Sequence, residues 1–63
     1  MTRQEANKVL LDKVSKVVEA YPDWRFGQVL YNLNIVRMDA NRRIMDPFYE
    51  ESTETLEKIR DLI

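Results

Sequence analysis

A capping box at one end and a proline at the other bracket the first third of this chain, and any fold it adopts has to be built around the helix between them. In Thr2-Arg3-Gln4-Glu5 the Thr2 hydroxyl can accept from the Glu5 amide while the Glu5 carboxylate accepts from the Thr2 amide, so a helix is predicted to begin at Arg3. Ala6, Val9, Leu10, Val14, Val17, Val18 and Tyr21 then recur at steps of three and four, with Lys8, Asp12, Lys13, Lys16 and Glu19 on the other face. Pro22 has no amide hydrogen and biases Tyr21 away from helical dihedrals, which ends the helix near Ala20. The chain has 63 residues, near the lower limit for folding alone, so it is one small helical domain over residues 1–63. At 44% apolar it is too hydrophobic for disorder.

Beyond Pro22 the signals are shorter. Asp23 is placed to cap a second helix from Trp24 to about Leu33, whose stripe Phe26, Val29, Leu30 and Leu33 faces inward, with Trp24 and Tyr31 toward a different side. Gly27, inside that helix, reads as a close crossing point with the first helix, with a self-association contact as the second use. Asn32 and Asn34 are helix-stop residues. Residues 35–45 lose the periodicity; Asp39-Ala40-Asn41 would suit a short hairpin, but a loop is the expectation. Asp46-Pro47 restarts helical geometry for a turn over 47–50. Ser52 then caps a last helix from Thr53 to about Leu62, with Leu56, Ile59 and Ile63 inward. The predicted fold class is all-α: a compact three-helix mini-domain with helices at 3–20, 24–33 and 53–62, an irregular connector between the second and third, and a tendency to self-associate.

Composition removes most chemistry. There is no cysteine and no histidine, hence no disulfide, no thiolate nucleophile, no zinc–thiolate site and no imidazole base. Ser15, Ser52 and the threonines lack a histidine or an evident lysine to activate them, and so short a chain encloses little concave volume. No enzyme activity and no cofactor are expected. A metal site is not expected either, because carboxylates along one short helix diverge instead of converging. The longest apolar run, Val9-Leu10-Leu11, is far below the roughly 20 residues that cross a bilayer, and the first residues lack the apolar stretch of a secretory signal. No membrane association is expected, and the location implied is cytoplasmic.

Three surfaces remain as candidates. Ten basic and eleven acidic side chains leave a net charge of −1, but the charge is polarised. Six acids against two bases occupy the residues from Asp46 onward, and eight bases against five acids precede them. Glu50, Glu54 and Glu57 would form an acidic ridge if the last helix ran back to Glu50; a solvated helix face is the ordinary alternative. Arg37, Arg42 and Arg43, with Arg25, form a basic cluster that could meet phosphates or pair with the acidic third. Tyr21, Trp24, Tyr31, Phe48 and Tyr49 are a heavy aromatic load for three short helices, so they build the core or form an interface. Burial and ordering nearly balance at this size, and a homodimer is one of the few remedies left, with Met38, Ile44 and Met45 as contact residues.

Two segments, Tyr21-Pro22-Asp23-Trp24-Arg25-Phe26-Gly27-Gln28-Val29-Leu30-Tyr31-Asn32-Leu33 and Asp46-Pro47-Phe48-Tyr49-Glu50-Glu51-Ser52-Thr53-Glu54-Thr55-Leu56, make nearly the whole chain resemble a family of short, mostly uncharacterised proteins encoded by phages and bacterial mobile elements. The arginine-bearing connector from Val36 to Met45 is where it departs from that family. The resemblance implies an accessory factor that binds and disables a host protein, antiviral defence proteins included, in the bacterial cytoplasm. The expected function is therefore non-enzymatic protein binding, carried by Trp24, Tyr31, Arg37, Arg42, Arg43, Phe48 and Tyr49, with Glu50, Glu54 and Glu57 as the second choice. The alternative is a small nucleic-acid-binding regulator using Arg25, Arg37, Arg42 and Arg43, and a third reading is an assembly protein whose partner is a second copy of itself.

Overall fold

The capping box forms as its residue types require. In the computed structural model the Glu5 amide donates to the Thr2 hydroxyl at 3.1 Å and the Thr2 amide donates to the Glu5 carboxylate at 3.3 Å. Helix α1 then runs Arg3–Ala20. The structure describes residues 1–45 and 47–62; the expected Asp46 cap, the Ile63 end of the last helix's stripe and the side chain of Met45 lie outside the described residues. The described residues form three α-helices and one short hairpin: α1, α2 (Phe26–Asn32), β1 (Arg37–Met38), β2 (Ile44–Met45), a 3₁₀ turn (Pro47–Tyr49) and α3 (Ser52–Lys58). α1 packs against both α2 and α3. Val17, Val29 and Leu33 are the buried centre, with Val14, Tyr21, Trp24, Ile35, Ile59 and Leu62 half-buried around them. Ala6 is buried nearer the start of α1. Val18, though in the expected stripe, is exposed, because two-turn partner helices cover only a narrow strip of α1.

α2 starts two residues later than its pattern suggests, and Asp23 does not cap it. The Trp24 amide donates to the Tyr21 carbonyl at 3.1 Å, and the two rings stack with centroids 4.1 Å apart and planes 8° from parallel. That turn takes Trp24 out of helical phase and packs it against the core; Arg25, in extended conformation, becomes the N-cap without a side-chain cap bond. Phe26 consequently sits at the helix start and is 62% exposed, not inward. Gly27 is no crossing point: a Cβ there would meet nothing within 4 Å. The far end follows the asparagine signal. Asn34 takes φ 69°, the Ile35 amide donates to Leu30 O at 2.9 Å and the Asn34 amide to Tyr31 O at 3.0 Å, the paired closing bonds of a Schellman motif.

The connector expected as a loop is a hairpin. β1 and β2 pair antiparallel, Arg37 opposite Met45 and Met38 opposite Ile44. Its loop is held by Asp39, whose carboxylate accepts from the amides of Asn41 at 2.8 Å and Arg43 at 2.9 Å, while the Arg42 amide donates to Asp39 O at 3.0 Å. Arg42 then takes φ 61°, the left-handed position that follows a type I turn in a three-residue hairpin loop.

α3 is shorter than expected at its C-terminal end, and Ser52 is not its cap. Glu51 is the N-cap, without a side-chain cap bond, and the Ser52 hydroxyl instead donates to Asn7 of α1. At the other end the Asn34 side-chain amide donates to Lys58 O at 2.9 Å and the Arg60 amide to Leu33 O at 2.9 Å. These bonds draw the chain off the helix at Ile59, which is extended. Residues 59–62 form a strap across the core instead of a third helical turn, and Thr55 is the buried residue of α3.

Candidate functional site

The sequence nominated ten residues, and the fold separates them into engaged and exposed groups. Arg37 and Glu50 are engaged with each other. The hairpin carries Arg37 toward the first residue after the 3₁₀ turn, where its Nη2 lies 2.7 Å from Glu50 Oε2, with the two side chains 24% and 11% exposed. The same carboxylate accepts from Lys58 Nζ at 3.0 Å and from the buried Thr55 hydroxyl at 2.7 Å. The Arg37 bond first, then those from Thr55 and Lys58, hold the Glu50 carboxyl down at about pKa 2, well below its ordinary value. Pairing of an arginine with the acidic third is therefore realised at this bridge. It recurs at the surface, where the Arg3 guanidinium grips Glu51 with bonds of 2.7 and 3.0 Å and lowers its pKa.

This geometry dissolves the expected acidic ridge. α3 begins at Ser52, after Glu50, and Glu50 turns to Arg37 while Glu54 and Glu57 remain exposed on the helix. Trp24 is likewise engaged, in its stack on Tyr21 and against the core.

Tyr31, Phe48 and Tyr49 line two open recesses that share the Arg37–Glu50 bridge. One, of about 230 Å³, lies between the C-terminal end of α2 and the hairpin and is lined by Tyr31, Asn34, Arg37, Met38 and Arg60. Met38 and Ile44 are directly opposed across the two strands, so their side chains share a face, and they are 52% and 69% exposed. Arg42 and Arg43 are exposed at the hairpin tip. The other recess is lined by Arg3, Phe48, Tyr49, Glu50, Glu51 and Ser52. There the Phe48 and Tyr49 rings meet edge to face at 4.9 Å, and Tyr49 is 95% exposed. Arg25 sits apart, exposed at the N-cap of α2.

Asn34 and Arg60 are residues that sequence reasoning did not nominate. Asn34 carried a signal as a helix stop, but its second use, holding Lys58 O, joins residues 24 positions apart. Arg60, within the span expected to be helical, is carried to the recess by the strap. Among the described residues no cluster of acidic side chains could hold a metal ion, and no helix is long and apolar enough to cross a membrane. Comparison with protein-family models, with curated proteins and with solved structures finds no match to the chain.

Proposed function

We propose that this chain is a non-enzymatic protein-binding factor that acts by occupying a surface on another protein. One observation carries the reading: Tyr31, Met38, Ile44, Phe48 and Tyr49, on the end of α2, the hairpin and the 3₁₀ turn, are all at least half exposed, whereas among the described residues only four apolar ones are buried. Tyr31 and Met38 line one recess, with Ile44 opposite Met38, and Phe48 and Tyr49 line the other, so these apolar side chains are grouped as an interface requires. The resemblance of its two motif segments to phage and mobile-element proteins supplies the context: a bacterial host protein as target, in the cytoplasm, inhibited by being covered, with antiviral defence proteins as the first class to examine.

Exposed Arg42 and Arg43, with Arg25, support the rival reading of a nucleic-acid-binding regulator. Affinity capture from bacterial lysate with the tagged chain, with and without nuclease, separates the two. Retention of one host protein at a defined stoichiometry after nuclease is the expected result; capture that disappears with nuclease moves the function to nucleic acid. A chain that sediments as a dimer at every concentration and captures nothing is an assembly protein whose partner is its own copy.

A further inference from the structure

The recess beside the hairpin has the chemistry of a specific class of partner. No carboxylate lines it. Arg60 on its rim, and Arg42 and Arg43 at the hairpin tip, enter no ion pair among the described residues, in contrast to Arg3 and Arg37, which are bonded to Glu51 and Glu50. The Asp39 carboxylate on the hairpin is turned to loop amides. Tyr31 and Met38 line the recess beside Arg60, Ile44 stands opposite Met38 on the same face of the hairpin, and all three are half exposed or more. Arg42 adds a second observation. It holds a left-handed backbone position, φ 61°, that glycine or asparagine occupies with less strain, so the loop geometry alone does not account for an arginine there.

We propose that this surface, Tyr31, Met38 and Ile44 with Arg60 at the recess and Arg42 at the hairpin tip, docks an acidic, apolar peptide segment of the partner protein. The proposal rests on the protein-binding reading above and deepens it. Charge complementarity selects the acidic side chains, since guanidinium groups that enter no ion pair among the described residues gain most from carboxylates that bring their own apolar neighbours. The aliphatic members decide between macromolecules: Met38 and Ile44 can desolvate a leucine or phenylalanine but give a nucleobase no ring to stack on, and Tyr31 alone is no stacking platform.

The test is a selection of random dodecapeptides displayed on phage against the immobilised full chain, followed by fluorescence anisotropy with the synthetic consensus peptide, its Glu/Asp→Gln/Asn version and a dodecathymidylate. Selected peptides are expected to combine Asp or Glu with large apolar residues. Removing the peptide's charge, and the Arg60→Gln and Ile44→Thr variants, should each weaken binding about tenfold. Arg42→Gly should do the same while relaxing the loop, so its effect cannot come from a damaged hairpin. Neutral or basic consensus peptides overturn the proposal, as does binding that survives Arg42→Gly and Arg60→Gln and is lost on Tyr49→Ala; either leaves the protein-binding reading standing. No enriched peptide together with salt-sensitive binding of the oligonucleotide overturns both, and no enrichment of any kind overturns the peptide site.

Discussion

An alanine Cβ at position 27 would point into open space, with no atom within 4 Å, on a helix whose glycine has no positive φ. Glycine there contributes only extra freedom to the unfolded chain. Gly27→Ala is therefore expected to stabilise the fold by roughly 0.5–1 kcal/mol, seen as a higher urea midpoint at unchanged slope. A lowered midpoint would mean that something covers this face. The reading of Gly27 as a crossing point failed for the same reason as that of Phe26. Which way these residues face depends on the Tyr21–Trp24 stack, which sets where α2 begins, and no local pattern carries that contact. Thr2 and Glu5, and Asn34 as a stop, were legible because their bonds close within three to five residues.

Glu50 ties three elements together: the hairpin through Arg37, the 3₁₀ turn that it follows, and α3 through Thr55 and Lys58. Its folded-state pKa, about 2, is below the ordinary 4.5, so on acidification the unfolded chain takes up the proton first. The stabilisation is fully present above about pH 5 and is lost as pH falls through 2. Thermal unfolding should show a melting temperature that declines between pH 5 and 2. Glu50→Gln should lower stability at pH 7 by about 2 kcal/mol and flatten the acid decline, leaving the shallower slope due to Glu51 beside Arg3. A wild-type melting temperature level down to pH 2.5 would remove Glu50 from this role. The sequence showed an excess of acids after residue 46 and of bases before it, but not that Arg37 would be the partner. That pairing depends on the hairpin, and strands of two residues are too short to leave an alternation in the sequence.

The molecule is a slab of 32 × 28 × 15 Å, little thicker than one layer of helix with its side chains, which is why so few residues are fully buried. In such a body the strap after α3 carries unusual weight. Ile59 and Leu62 pack against the Val17–Val29–Leu33 centre, the Tyr21 hydroxyl donates to Leu62 O at 3.2 Å, and Lys13 reaches Asp61 at 3.2 Å. The all-α architecture and the long first helix were legible from periodicity. The strap was not, because two apolar residues three apart suit a helix face as well as an extended segment lying over a core, and only the bonds from Asn34 to Lys58 O and from the Arg60 amide to Leu33 O decide between them. Ile59→Ala should cost about 2 kcal/mol, a large fraction of what a chain this small has, whereas Leu11→Ala, on the open face of α1, should stay within about 0.5 kcal/mol. Urea unfolding followed by circular dichroism compares the two. Equal effects would mean that the strap is peripheral and that the open face of α1 is covered, as it would be in a dimer. A selective loss at Ile59 would instead place the strap in the core of the monomer, so that the same segment that packs Ile59 and Leu62 against Val17, Val29 and Leu33 also fixes Arg60 at the recess.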